Sequence, residues 1–184
     1  VARRDGVKII EMATNMSEAV LERSFNEALD SVGFRFPAQI VSGNPSHHKT
    51  YDEGYILTDA EGGLYHLKLA DGKPQVESID NGGLDIKHIF ITENENRASL
   101  AYLFDAGGRF YVLDSLRRII GTDVVADVTR QNVLLVGDIL NFTVRVSDSD
   151  GEDFWALDTR DLHTVKTMRR DYPEPDSVDL PKYI

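Results

Sequence analysis

The chain has no cysteine among its 184 residues, which removes disulfide frameworks, thiolate metal sites and cysteine nucleophiles together. That absence leaves the compartment open. Positive charge is scarce too: 20 Lys and Arg stand against 31 Asp and Glu, for a net charge of -11. Such a surface repels phosphate backbones and anionic headgroups, so no nucleic acid is expected as a partner. No stretch reaches the roughly 18 to 20 uninterrupted apolar residues that cross a bilayer, and there is no charged-then-apolar N-terminal signal. Direct membrane insertion by this segment is therefore not expected. The sequence also lacks a GxSxG elbow, a phosphate-binding glycine loop and any HExxH or HxH spacing. No enzyme is indicated, and neither catalytic residues nor a cofactor are expected.

What is present reads as a folded protein. Apolar residues at 41% and charged residues at 28% are proportions of a globular chain, and this length fits one core. Residues 1–170 are expected to form a single mainly-β domain. Residues 171–184, DYPEPDSVDLPKYI, read as a proline-rich acidic tail or linker. Val1 in place of Met and this tail give the expectation that the chain is cut from a longer protein.

One segment has helical periodicity. Asn15 and Glu18 stand at capping-box spacing, and Leu21, Phe25, Ala28, Leu29 and Val32 then recur on one stripe. Gly33 supplies the left-handed residue that ends such a helix. The pattern predicts an amphipathic helix over about 16–32, laid on a sheet, with a short strand candidate ahead of it at Val7, Ile9 and Ile10. After an apolar run from Ala38 to Val41 comes a polar loop from Ser42 to Glu53.

From Gly54 onward, strand-sized runs alternate with Gly, Asn and Asp turns. Strands are predicted near 54–59, 64–69, 75–79, 86–92, 99–105, 109–114, 133–136, 142–147, 153–158 and 162–168. In LYHLKL, Tyr65, Leu67 and Leu69 take one face while His66 and Lys68 take the other. A repeat runs through these strands. Leu64-Tyr65-His66-Leu67, Phe110-Tyr111-Val112-Leu113-Asp114 and Phe154-Trp155-Ala156-Leu157-Asp158 match, and their first residues stand 46 and then 44 positions apart. Each follows an Asp- and Gly-rich turn, and a period of this size with several strands per unit marks propeller blades. About three units, over about 54–170, would not close a ring, since rings typically take about 4 to 8 blades. The fold expected is thus antiparallel hairpin or meander sheets of blade-like repeats with one N-terminal helix. Similar hairpins in one open curved sheet are the alternative.

The run from Gly33 to Pro74 resembles a family of uncharacterised bacterial cell-envelope proteins. The residues that carry the resemblance are Gly33, Phe34, Phe36, Pro37 and Ala38, then Gly43, Asn44 and Pro45. Lys49, Asp52, Glu53, Gly54 and Tyr55 follow, and then Asp59, Gly62 or Gly63, Tyr65, His66, Leu67 and Lys68. The resemblance implies a domain of unknown function between membrane segments, facing the periplasm, beside transporter components. It brings no catalytic residues.

Candidate binding residues come from the polar loop and the hairpin after it: His47, His48, Lys49, Asp52, Glu53, Tyr55 and His66. Imidazole and carboxylate together suit a divalent metal, but adjacent histidines rarely chelate together, so no metal is expected there. Tyr51, Tyr65 and His88 could join Tyr55 and His66 at one end of the sheet, although such residues more often pack with one satisfied polar tip. Asp148 to Asp153 has the look of a calcium loop yet lacks the later ligands, and reads as a hairpin turn. The expectation is a non-enzymatic periplasmic or extracytoplasmic domain of a membrane-anchored protein that binds a protein partner or an unknown ligand. The alternatives are a metal- or His/Asp-dependent enzyme and a structural adaptor whose sheet is completed by oligomerisation.

Overall fold

The computed structural model describes residues 5–8, 18–44, 51–93, 97–137 and 141–173. The chain divides into two compact units, Val1–Val125 and Ala126–Ile184. The first holds helix α1 (Ala19–Ser31) and strands β1 (Ile40–Gly43), β2 (Tyr55–Thr58), β3 (Leu64–Ala70), β4 (Lys73–Ile79), β5 (Ile86–Ile91), β6 (Ser99–Asp105), β7 (Arg109–Asp114) and β8 (Ile119–Val125). The second holds β9 (Asn132–Gly137), β10 (Asn141–Ser147), β11 (Gly151–Asp158) and β12 (Thr164–Asp171). They build three four-stranded antiparallel sheets in sequential order: sheet 1 from β1 to β4, sheet 2 from β5 to β8 and sheet 3 from β9 to β12. None of these sheets closes on itself. The mainly-β, blade-like reading in about three units therefore holds, and the single curved sheet does not.

The repeat found in the sequence is the third strand of each sheet: β3, β7 and β11. The turn before it is built by one aspartate. Asp59 Oδ1 accepts the amides of Glu61 (3.0 Å) and Gly63 (2.7 Å), and its Oδ2 accepts the Tyr65 hydroxyl at 3.2 Å. Asp105 repeats the set with the amides of Gly107 (2.8 Å) and Arg109 (2.9 Å) and the Tyr111 hydroxyl at 2.8 Å. In sheet 3 the residue at the same distance from Asp148 is Phe154, which has no hydroxyl, and Gln131 Nε2 donates to Asp148 Oδ2 instead (3.0 Å). A carboxylate that caps two turn amides sets the hairpin register, so the periodicity of aspartate and aromatic is a periodicity of hairpins.

Sheet 1 is covered on both faces, and its alternation sorts the residues. Leu57, Tyr65 and Leu67 point to α1, where Phe25, Leu29 and Phe34 complete a cluster. Ile56, Leu64 and Ile79 point to sheet 2 and meet Ile86, Ile89, Leu100, Ala101, Leu103 and Leu113. Burying one such side chain stabilises the fold by about 2 kcal/mol. The helix is closed by the residues the sequence offered. Gly33 takes φ +79°, its amide bonds Asp30 O at 2.9 Å and the Phe34 amide bonds Leu29 O at 3.1 Å, a pattern that satisfies two free carbonyls. Phe34 then stacks edge-on against Phe36 (4.9 Å) and Tyr65 (5.0 Å).

Several boundaries differ from the sequence reading. The helix starts at Ala19, so Glu18 stands at its N-cap without a side-chain capping bond, and Asn15 lies outside the described residues. Val7 is a single bridge residue whose amide and carbonyl are held by the Asn26 side chain at 2.8 and 3.1 Å, while Ile9 and Ile10 lie outside the described residues. β1 takes in Ser42 and Gly43 from the expected loop, because they pair with Ile56 and Tyr55. β8 was not foreseen, since Gly121 and Asp123 interrupt its apolar pattern. Among the described residues no helix is long and apolar enough to cross a membrane.

Candidate functional site

The polar segment that leads into β2 is tied down on the sheet 2 side of sheet 1. Gly54 has φ +71°, which only glycine adopts without strain, and its amide bonds Asp52 Oδ1 at 2.7 Å. A Cβ at this position would run into the carbonyl oxygen of Leu67 and stand 2.8 Å from the Lys68 Cα. The chain therefore passes flat against β3, which puts the Glu53 carbonyl 2.6 Å from His66 Nε2. A carbonyl only accepts, so the imidazole carries its proton on Nε2.

Glu53 is held from three directions. Its amide donates to Glu93 Oε1 at 3.0 Å, and the other oxygen of Glu93 accepts the Asn44 side-chain amide at 2.7 Å. Its own carboxylate stands 3.8 Å from both His66 Nε2 and Lys68 Nζ. Beside it, the Arg97 guanidinium lies 4.1 Å over the Tyr51 ring, a cation–π contact between two loops. His66 is 2% exposed. Burial pushes its pKa below the ordinary imidazole value, the Glu53 carbonyl and carboxylate oppose that, and Arg117 and Lys68 reinforce it. Burial raises the Tyr51 hydroxyl, as do the charges of Glu53 and Glu93, with Arg97 acting the other way.

Of the residues singled out in the sequence, the structure brings together Asp52, Glu53 and His66. His47, His48 and Lys49 lie outside the described residues. Tyr55 belongs to the opposite face: it pairs with Gly43 and Leu67, lays its ring over Gly43 and is 47% exposed. Tyr65 and His66, adjacent in β3, face opposite sides and cannot line one pocket. Glu93 and Arg97 were missed, and Asn44 had been noted only as part of a motif. Glu93 is 40 residues from the amide it binds, and no local pattern announces such a contact.

Chemically, this cluster is a fastening. The imidazole is out of reach of solvent and committed through Nε2 to a backbone carbonyl, while Glu93 uses its two oxygens to hold Asn44 and the Glu53 amide on the two sides of the polar loop. Among the described residues no group of three or more His, Asp or Glu side chains is placed to hold a metal ion. The Asp148 turn is a capped hairpin, with Oδ1 accepting the amides of Asp150 (2.9 Å) and Gly151 (3.2 Å).

The fold and site together define a mainly-β class of protein, with blade-like meander sheets, a helix packed on the first of them and a polar cluster that bonds internally. The chain belongs to the family described as Domain of unknown function (DUF4857), whose match runs over residues 2–157. Comparison with curated proteins and with solved structures gave no match.

Proposed function

We propose that this chain is a non-enzymatic interaction domain of an exported, membrane-anchored protein, facing the periplasm or another extracytoplasmic space and working beside a transport system. The observation that supports it best is the commitment of the polar groups around His66. An enzyme using His66 and Glu53 would need the imidazole to exchange protons with a substrate, whereas here it is buried and bonded to the Glu53 carbonyl. A segment fixed by Gly54, Asp52, His66 and Glu93 instead holds Asn44 and residues 51–53 in a set place, as residues displayed on rigid sheets are when they bind partners. The compartment rests on the resemblance of the Gly33 to Pro74 run to cell-envelope proteins. Fusing alkaline phosphatase behind this domain in the full-length protein tests it. The expected result is an active reporter in the membrane fraction, and activity confined to the cytoplasm would contradict the reading.

A further inference from the structure

Sheet 3 carries an apolar face whose charge runs against that of the whole chain. One row across it consists of Leu134, Arg145, Phe154 and Met168, and the next of Val136, Thr143, Ala156 and Lys166. Partners in register point to the same side of a sheet, so these residues share one face. Leu134 is 46%, Val136 57% and Met168 54% exposed. Leu134 and Val136 stand on one edge strand and Met168 on the other, and exposed aliphatic side chains of this kind mark interaction surfaces. On the same face the buried Glu152 is flanked by the Arg145 guanidinium at 3.2 Å and by that of Arg170. Two cations on one carboxylate leave an excess of positive charge, and exposed Lys166 adds to it. The chain as a whole is at -11.

Sheet 1 shows, on the side opposite sheet 2, how a helix closes an apolar face in this fold. There α1 lays Leu21, Phe25 and Leu29 on the strands and carries Glu22, Glu27 and Asp30 along its length. We propose that the Phe154 face of sheet 3 docks an acidic amphipathic helix of a partner protein. The helix covers Leu134, Val136 and Met168 with its apolar side and sets its carboxylates against Lys166 and Arg170 on the edge strand β12. A second copy meeting through the same face would instead oppose like charges. The inference rests on the interaction-domain reading and names its partner.

The test uses the whole chain and a labelled, helix-stapled peptide with the sequence AVLERSFNEALDS, compared with a version whose Glu and Asp are replaced by Lys. Anisotropy should show saturable binding of the acidic peptide, at least about tenfold tighter than the basic one, weakening as salt rises. The Leu134→Ser/Met168→Ser double variant and Lys166→Glu should each weaken it by about tenfold while circular dichroism stays that of the parent. Equal affinity for both peptides, no saturable binding, or affinity unchanged in the double variant overturns the proposal. So does a dimer in ultracentrifugation that the double variant abolishes, or binding through this face to phosphatidylglycerol vesicles. Failure of the peptide with the reporter still outside the cytoplasm removes the helix and leaves the interaction domain standing.

Discussion

Sheet 1 and sheet 3 share a strand order and an aspartate-led turn between their second and third strands, yet their equivalent faces meet different surroundings. In sheet 1 the row through Leu64 runs from Ile40 through Thr58 to Ile79, and Ile79 is 4% exposed because sheet 2 lies on it. In sheet 3 the row through Phe154 ends at Met168, on the matching fourth strand, and Met168 is 54% exposed. Both rows are apolar at their ends. What differs is whether another layer covers them, and that decides whether an alternating strand becomes core or surface.

The largest way to break sheet 1 is at its entrance. Gly54→Val adds the strain of a left-handed backbone to a clash with the β3 backbone, and should lower stability by about 3 kcal/mol. The measurement is the urea midpoint, and Gly54→Ala should already lose most of that stability, since the clash begins at Cβ. In the turn of sheet 3 the counterpart is Gly151, where an added Cβ would stand 2.5 Å from the Arg170 carbonyl oxygen but the backbone is not left-handed, so substitution there meets the clash without the added φ strain.

A smaller effect comes from the covered face itself. His66 has a lowered pKa in the folded chain because it is buried. As pH falls below about 6.5, the ordinary imidazole value, the unfolded chain takes up a proton that the folded chain resists. Stability is then fully present above that pH and is lost as pH drops through the folded value. Urea midpoints at neutral and mildly acidic pH should fall less in His66→Gln than in the parent. An identical fall in both would mean that His66 is not titrating against burial.

Much of the sheet order was legible in the sequence for a physical reason. Third strands are announced locally, because Asp59 and Asp105 bond amides two and four residues on and a tyrosine six residues on. β8 was not legible, since its Gly121 and Asp123 belong to an edge strand that need not be apolar throughout. The faces of β3 were read correctly, but not that His66 would be buried. Alternation states which residues share a side and says nothing of what is laid upon it. The same limit hid Glu93, whose partners arrive from another sheet's loop, and made Tyr55 and His66 look like neighbours although the strand turns them apart.

The central claim is that apolar rows on corresponding faces of sheet 1 and sheet 3 differ by the presence of a covering layer. Ile79→Ala and Met168→Ala, compared by urea denaturation of the whole chain, test it most directly. The account predicts a loss of about 2 to 4 kcal/mol for Ile79→Ala and a change within about 0.5 kcal/mol for Met168→Ala. Equal losses at the two positions would contradict it, because Met168 would then be part of a core that the uncovered face does not have.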